Sequence, residues 1–318
     1  MGPRVVKTLV IGAAGMIGRK LVRALPGEDL LLQDVVPFEG GIVSDLSAPG
    51  EAEKLVAAKP GLIFHLAAVV SGEAEADFEK GYRVNLEGTH RLFEAIRKQP
   101  DYRPRVVFTS SIAVFGAPFP EAIGDEFLAA PLTSYGTQKA VGELLLADYT
   151  RRGFFDGIAI RLPTICVRPG KPNKAASGFF SGIIREPLAG EEALLPVPDT
   201  VRHWFASPRA AVGFLVHASK MNTGQLGARR SLNMPGVSAT VAEQIEALRK
   251  VAGEGAVQRI RRAPDATIMR IVEGWPRNFD AKRALGLGFR ADASFEEIIR
   301  IHIADELQGK PAPRPGSA

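Results

Sequence analysis

The sequence predicts an α/β fold in which a doubly wound parallel sheet is followed by a smaller C-terminal lobe. Short runs of Val, Ile and Leu do not alternate with polar residues, which is typical of parallel strands that are covered on both faces. Helical patterns lie between these runs, and such alternation favours a parallel sheet with right-handed crossovers. After about residue 165 Pro and Gly become frequent, so we expect the lobe to begin there.

Five strands and four helices are predicted before that point. The strands are Val5–Ile11, Leu30–Val36, Leu62–Ala67, Val106–Ser110 and Ile158–Leu162. The helices are Met16–Leu25, Gly50–Ala58, Glu75–Lys98 and Ser134–Arg152. Three further helices are predicted in the lobe, at Pro208–Ser219, Val241–Val251 and Phe295–Leu307. Ser294 and Glu297 form a capping-box pattern before the last of them.

The composition excludes several classes of protein. The 318 residues carry one cysteine, Cys166, so an internal disulfide and a cysteine-based metal cluster are both impossible. The net charge of +5 is not concentrated in a basic block, so nucleic-acid binding is not indicated. No run reaches the roughly 18 apolar residues of a membrane span, and no signal-peptide pattern is present. We therefore expect a cytoplasmic protein that does not enter a membrane.

Three glycines mark the turn between the first strand and the first helix. Gly12, Gly15 and Gly18 are spaced as G-x-x-G-x-x-G. Glycine lets bare backbone amides and the positive end of a helix approach a pyrophosphate closely. The spacing differs from the standard G-x-G-x-x-G pattern, and a glycine triplet alone also occurs in plain turns. With a strand before it and a helix after it, the triplet indicates a Rossmann dinucleotide site.

An acidic residue ends the second strand. Asp34 follows Gly12 by 22 residues, where a carboxylate accepts hydrogen bonds from the adenosine ribose and repels a 2′-phosphate. No arginine directly follows Asp34 to hold such a phosphate. The pattern therefore favours NAD over NADP, and the alternative is a solvated acid at a strand end.

The candidate catalytic groups come from one helix and one strand end. Tyr135 and Lys139 are four residues apart, so their side chains share one helix face. A phenol titrates near pH ~10, and a nearby ammonium lowers that pKa toward the range useful for acid–base catalysis. Ser110 and Ser111 end a strand at the carboxyl edge of the sheet, where ligands bind in open α/β folds. A serine there can hold the reacting oxygen, or it can satisfy backbone groups.

These motifs divide the chain into three parts. Residues 1–165 are predicted to form an NAD-binding Rossmann domain, and residues 166–308 mainly a substrate-binding lobe with some return to the core. Residues 309–318, rich in Pro and Gly, are predicted to be a disordered tail. We interpret Cys166 as a small buried residue, because hydride transfer between an alcohol and a cofactor needs no thiol.

Taken together, these residues resemble the extended branch of the short-chain dehydrogenase/reductase superfamily over nearly the whole chain. Further matches are His65-Leu-Ala-Ala68, Asn85-Leu-Glu-Gly-Thr89, Ser110-Ser-Ile-Ala-Val-Phe-Gly116 and Arg161-Leu-Pro163. The resemblance implies NAD as cofactor and Ser111, Tyr135 and Lys139 as catalytic residues. It implies cofactor contacts at Gly12, Gly15, Met16, Ile17, Gly18, Asp34, Asp45, Leu46, Leu66, Ala67, Ala68, Asn85, Ser110, Tyr135, Lys139 and Pro163.

The resemblance also implies individual roles for some of these residues. Asp45 contacts adenine, and Ala67 and Ala68 line the phosphates and ribose. Asn85 lies near the active-site helix, and Pro163 covers the nicotinamide. One departure is Phe115, where many relatives carry tyrosine; we expect it to alter packing of the pocket rather than the chemistry.

Within the superfamily, the chain resembles dehydrogenases of small sugar acids in residues 66–78, 161–173, 175–181 and 202–208. This implies oxidation of the C2 hydroxyl of a four-carbon acid with NAD. Ser111 is followed by Ile112 and Ala113 rather than by the acidic pair of dehydratases, so water elimination is not expected. A small polyhydroxy acid needs cations or amides for its carboxylate. The candidate substrate residues are Ser71, Ser111, Asn173, Lys174, Ser177, Arg202 and His203.

Each substrate candidate has an ordinary structural alternative. Lys174 can be a solvated loop charge, Arg202 can be packed beside Trp204, and His203 can be a surface histidine. The five histidines are too scattered to indicate a metal site.

Other functions use the same motifs. One is a nucleotide-sugar 4-epimerase with tightly bound NAD, and another is a small hydroxy- or amino-acid dehydrogenase such as a threonine dehydrogenase. A third is an NAD-sensing scaffold without catalysis, against which the complete Ser/Tyr/Lys set argues.

The resemblance further implies a homodimer, formed by the helix that carries Tyr135 and its neighbour. Leu144, Leu145 and Tyr149 add apolar surface to that helix. They can serve such an interface or pack on the sheet.

Overall fold

The computed structural model describes residues 7–170 and 176–308. The strands are β1 Thr8–Ile11, β2 Leu30–Asp34, β3 Ile42–Val43, β4 Leu62–His65, β5 Arg105–Ser111, β6 Asp156–Leu162, β7 Thr164–Ile165, β8 Ala193–Leu195, β9 Arg202–Ala206, β10 Ser231–Asn233, β11 Val237–Thr240 and β12 Ile260–Arg262. The helices are α1 Met16–Arg23, α2 Glu51–Val56, α3 Ser71–Ala76, α4 Phe78–Gly81, α5 Gly88–Arg97, α6 Ser134–Arg151, α7 Gly178–Leu188, α8 Pro208–Lys220, α9 Val241–Ala252, α10 Glu254–Val257, α11 Ala266–Glu273, α12 Lys282–Gly286 and α13 Phe295–Glu306.

Seven parallel strands form the large sheet in the order β10-β6-β5-β4-β1-β2-β3. Successive side chains of a strand point to opposite faces. Val10 accordingly packs in the cluster that contains Leu21 of α1 and Phe214 of α8, whereas Leu9 packs in the cluster that contains Phe93 of α5. Helices therefore cover both faces, and the predicted doubly wound α/β fold is confirmed. The strand order reverses at β1, so β1 and β4 border the crevice where such sheets bind ligands.

The second half of the chain combines two small sheets with elements that belong to the large one. β11-β9-β7 and β12-β8 form the small sheets, and β10 pairs with β6 at the edge of the large sheet. A separate apolar cluster around Phe180 and Phe205 fills this lobe. Sequence analysis did not predict α7 or these short strands, because Pro187 and runs of only two to five residues carry little periodicity.

The helix predicted at 75–98 is wrong as a single element. The chain leaves helical geometry at Asp77, whose carboxylate instead accepts the Lys80 amide and begins α4. A wider π-helical turn then covers Tyr82–Glu87 before α5 begins. Such turns are often found at functional sites, and this one places Asn85 inside the protein.

The predicted capping box before α13 is only half formed. The Ser294 hydroxyl accepts the Glu297 amide at 3.2 Å, but the Glu297 carboxylate takes the Ala293 amide rather than that of Ser294. A complete box occurs instead before α9, where Thr240 and Glu243 exchange both bonds.

The apolar side chains of α6 divide between the core and the surface. Leu145 and Tyr149 pack against the cluster on the α5 face of the sheet. Leu144 is 71% exposed. Among the described residues, no helix has both the length and the apolarity to cross a membrane.

A buried serine joins α8 to the segment before α13. The Ser207 hydroxyl accepts the Ala210 amide as the N-cap of α8 and donates to Asp292 at 2.6 Å. The Ser207 amide donates to the same carboxylate at 2.7 Å. One residue thus starts a helix and links two distant parts of the chain.

We expect Ser207→Ala to lower the free energy of unfolding by about 2 kcal/mol, because it removes both a cap and a charge-assisted hydrogen bond. Ser294→Ala is the matched control, since that cap is exposed and bonds only its own helix, and it should cost about 1 kcal/mol or less. Urea titrations measure both values. Equal losses in the two variants would contradict the role of the Asp292 bond.

Candidate active site

The glycine turn leaves no room for side chains. Gly12 has φ +90°, and a Cβ there would lie 2.7 Å from the Ala67 amide nitrogen. A Cβ on Gly18 would lie 2.2 Å from the Gly12 carbonyl oxygen. Gly15 precedes α1 without a side-chain cap, and the first turn of α1 carries no acidic residue. The first amides of α1 are therefore free of side-chain acceptors, an arrangement suited to a pyrophosphate.

Asp34 lies beside this turn at the end of β2. Its carboxylate accepts the Ala14 amide at 2.9 Å and the Val36 amide at 3.2 Å. These bonds fix the carboxylate at the carboxyl edge of the sheet, next to the glycines. A carboxylate has further lone pairs with which to accept ribose hydroxyls.

The other predicted adenosine residues lie on the segment after β3. Asp45 accepts the amide and hydroxyl of Ser47 at 2.9 and 2.6 Å, and Arg83 donates to it at 2.8 Å. Leu46 is buried in the core. Asp45 is thus held in place by three donors before any ligand is considered.

Asn85 supports the site from behind. It is buried; its side-chain oxygen accepts the Val69 amide at 2.9 Å, and its nitrogen donates to Val69 and Gln138. These bonds fasten the segment of Ala67 and Ala68 to α6. Asn85 therefore positions this segment, and its cofactor contact stays a prediction.

The two strand-end serines have different surroundings. The Ser110 hydroxyl is buried and donates to Glu143 at 2.5 Å, and the cofactor contact of Ser110 stays a prediction. Ser111 precedes a short 3₁₀ turn and accepts the Ala113 amide at 3.1 Å, and its hydroxyl lies near enough to the Tyr135 phenol to lower the pKa of that phenol. The predicted pair of Ser111 and Tyr135 is thus brought together.

A close contact between two backbone segments brings Tyr135 next to Ser111. Thr133 caps α6 through the Gly136 amide. A Cβ on Gly136 would lie 2.1 Å from the Ala113 carbonyl oxygen, so only glycine lets α6 approach the turn after Ser111. Sequence analysis missed Gly136, although its place directly after Tyr135 is the signal that could have found it.

Lys139 is fully inside the protein. Its ammonium donates to the Thr109 carbonyl at 2.9 Å and lies 5.8 Å from the centre of the Tyr135 ring. Burial lowers the pKa of Lys139 to about 8, and Glu143 opposes this shift. Burial raises the pKa of the Tyr135 phenol, while the charge of Arg168 and the Ser111 hydrogen bond oppose that rise.

Glu143, which sequence analysis also missed, joins α6 to three strands. It accepts two bonds from Arg161 of β6, at 2.9 and 2.6 Å, besides the bond from Ser110 of β5. Arg161 also donates to Asn233 of β10 and stacks over the Phe115 ring at 4.9 Å. The spacing of Tyr135, Lys139 and Glu143 by four residues was the available signal, because it places all three on one helix face.

The predicted substrate residues are dispersed. Ser71 begins α3 directly after Val70, and Ser177 precedes α7 directly before Gly178; Val70 and Gly178 line the cleft described below. Arg202 pairs with Glu243. His203 is buried, bonds Thr164 at 2.7 Å and has its pKa lowered to about 4 by burial, so it is neutral. Asn173 and Lys174 lie outside the described residues.

A cleft of about 350 Å³ separates the glycine turn from α7. One wall contains the predicted cofactor residues Gly12, Gly15, Met16, Ile17, Gly18 and Leu66. The opposite wall contains Ile165, Arg168, Pro169, Gly178, Ser181 and Arg185. Pro163 is buried between β6 and β7, just before this wall. Cys166 is buried as predicted, and burial raises the pKa of its thiol to about 12, which makes it a poor nucleophile.

Comparison with known proteins identifies close relatives. The model of the NAD dependent epimerase/dehydratase family matches residues 8–225. A D-erythronate dehydrogenase from Cupriavidus necator is 47% identical over 93% of this chain and 98% of that protein. A D-erythronate dehydrogenase from Haemophilus influenzae is 40% identical over 95% of this chain and 100% of that protein. The crystal structure of a nucleoside-diphosphate-sugar epimerase from Agrobacterium tumefaciens is 63% identical, covers 96% of this chain and 95% of its own, and superposes with a TM-score of 0.91.

The buried ammonium of Lys139 predicts how stability depends on pH. Its pKa of about 8 in the folded protein is below its ordinary value of 10.5. Between these values the unfolded chain binds more protons, so stability rises with pH. From about pH 8 to pH 9.5, we expect the wild type to gain up to about 1.4 kcal/mol per pH unit relative to Lys139→Met. Urea titrations of the cofactor-free protein measure this slope.

Lys54→Met is the matched control, because the Lys54 side chain is 72% exposed. Its slope should follow that of the wild type. A wild-type slope equal to that of Lys139→Met would contradict the lowered pKa.

Proposed function

The chain belongs to the NAD-dependent epimerase/dehydratase family, and on this premise we propose that it oxidises the C2 hydroxyl of D-erythronate to give 2-dehydro-D-erythronate, with NAD as oxidant. The observation that carries the proposal is the cluster around Tyr135, in which the Lys139 ammonium lies 5.8 Å from the centre of the phenol ring and the Ser111 hydroxyl lowers the pKa of the phenol. The two dehydrogenase relatives of similar length support the choice of substrate.

The residues present fit a dinucleotide. Side chains are excluded at Gly12 and Gly18, so the backbone of the turn and the first amides of α1 are open to a pyrophosphate. Asp34 would accept the ribose hydroxyls and repel a 2′-phosphate, which supports NAD over NADP. When bound, NAD supplies the acceptor for the hydride from C2.

The protein's own groups would move the proton and place the substrate. Tyr135 removes the hydroxyl proton as C2 is oxidised, and Ser111 holds the reacting oxygen by a hydrogen bond. Burial makes the phenol a weak acid, so the base form depends on nearby positive charge, which Lys139 and Arg168 supply. Lys139 keeps its orientation through the Thr109 carbonyl.

A nucleotide-sugar 4-epimerase is the second candidate, because the Agrobacterium relative is a nucleoside-diphosphate-sugar epimerase at 63% identity. Both reactions use the same Ser, Tyr and Lys. They differ in whether the reduced cofactor leaves the enzyme during turnover. Water elimination is disfavoured, since Ile112 after the catalytic serine is buried and apolar.

The homodimer and the cytoplasmic location stay predictions from the sequence. The exposed Leu144 side chain on α6 supports an interface on that helix. Leu145 and Tyr149 do not add to this surface, because they pack on the core.

The function is tested by incubating the purified protein with four-carbon sugar acids, L-threonine and a nucleotide sugar. We expect D-erythronate with NAD to give reduced cofactor at the highest kcat/KM, and NADP to be used at least about tenfold less well. Absorbance of the reduced cofactor follows the reaction. No oxidation of any acid, with isomerisation of the nucleotide sugar, would establish the epimerase instead.

The acid–base role is tested by Tyr135→Phe, which removes the phenol and keeps the ring. We expect turnover to fall by at least about a hundredfold, while NADH binding changes less than about twofold. Tyr149→Phe is the matched control on the same helix, because its phenol bonds Glu94 away from the site, and it should keep wild-type turnover. Near-normal turnover of Tyr135→Phe would exclude the proposed mechanism.

A further inference from the structure

The cleft contains a cationic side chain, that of Arg168, to which the proposed mechanism assigns no ligand. Arg168 lies on the wall opposite the glycine turn, in the segment after β7. It forms no ion pair with any carboxylate in the part of the chain that the structure describes. Its Nε donates to the Ile165 carbonyl at 3.3 Å, and no acceptor within residues 7–170 or 176–308 bonds its two terminal nitrogens.

The backbone of Arg168 is fixed from α7. Its amide donates to the Ser181 hydroxyl at 3.0 Å, and its carbonyl accepts from Arg185 at 2.8 Å. Ser181 and Arg185 line the cleft beside it. The backbone of Arg168 is therefore held in place by α7 before any ligand binds, which lowers the entropic cost of binding.

The charge of the guanidinium acts on the reacting group. Its charge lowers the pKa of the Tyr135 phenol, and burial lowers the pKa of Arg168 itself. A cation in such a poorly solvated place interacts strongly with an anion, and arginine binds a carboxylate through two parallel hydrogen bonds.

Among the residues that the structure describes, the other cations near Arg168 already have partners. Lys139 donates to Thr109, and Arg185 pairs with Glu186 at 2.5 Å. Of the predicted candidates within these residues, Arg202 pairs with Glu243 and the imidazole of His203 is neutral.

We propose that Arg168 binds the carboxylate of the substrate acid and so selects 2-hydroxy acids over neutral alcohols. The inference rests on the proposed function, in which the C2 hydroxyl lies at Tyr135. The carboxylate is bonded directly to C2, so the cation that holds it has to line the cleft and act on the phenol. Arg168 meets both conditions, because it lines the cleft and its charge lowers the pKa of Tyr135.

The proposal is tested with Arg168→Gln and the conservative Arg168→Lys. We expect Arg168→Gln to raise KM for D-erythronate by at least about thirtyfold, because it removes one partner of a desolvated charge pair. Arg168→Lys should recover part of that loss, since it restores the charge without the paired geometry. NADH dissociation, measured by fluorescence, should change less than about twofold in both.

Arg261→Gln is the matched control, because Arg261 is exposed on β12 and pairs with Glu192 away from the cleft. It should leave KM unchanged. An unchanged KM in Arg168→Gln, or a tenfold weaker NADH complex with unchanged KM, would overturn the proposal, and the latter would assign Arg168 to the cofactor phosphates.

A binding experiment separates this inference from the proposed function. Oxalate is titrated into the protein–NADH complex, and the cofactor fluorescence is followed. Binding to the wild type that is lost in Arg168→Gln would support the carboxylate site even if no sugar acid is oxidised. Equal oxalate binding by both proteins, or binding by neither, would overturn it.

Discussion

The buried ion pair between Glu143 and Arg161 fixes how the catalytic helix lies against the sheet. The Glu143 carboxylate accepts hydrogen bonds from Arg161 of β6 and from Ser110 of β5. Arg161 also donates a hydrogen bond to Asn233 of β10. Breaking a buried pair leaves an unbalanced charge and typically costs about 3–5 kcal/mol. The packing of α6 on β5 and β6 therefore depends on this one carboxylate. Lys139, one turn away on the same helix, is oriented by the Thr109 carbonyl of β5.

The site concentrates positive charge where water is scarce. Lys139 and Arg168 both have their pKa lowered by burial, so each is held charged against a desolvation cost. Such charges act on Tyr135 with little screening, and they need no rearrangement when the phenol loses its proton. Hydrogen bonds to Thr109 and Ile165 carbonyls keep the two cations from moving apart or toward solvent.

The features that sequence alone predicted are those set by local chain geometry. The glycine triplet predicts a tight turn, and the four-residue spacing of Tyr135 and Lys139 predicts that they share one helix face. Features that depend on long-range packing were missed. The helix at 75–98 breaks at Asp77, and its π-helical turn carries Asn85, which bonds Val69 and Gln138. The roles of residues 166–206 depend on how α7 and β9 pack. Short segments rich in Pro and Gly have no hydrophobic periodicity from which this packing could be predicted.

The contact of Gly136 with the Ala113 carbonyl has a consequence for how such an enzyme can diverge. The spacing of the acid–base residues is fixed by a contact between two backbone segments. Replacing nearby side chains therefore cannot change that spacing in small steps. The opposite wall is built by β7, the segment after it and α7, and its side chains line the cleft, so single replacements there change what is bound. New substrates would therefore be acquired by mutation of the segment after β7, while the proton-transfer half is inherited unchanged.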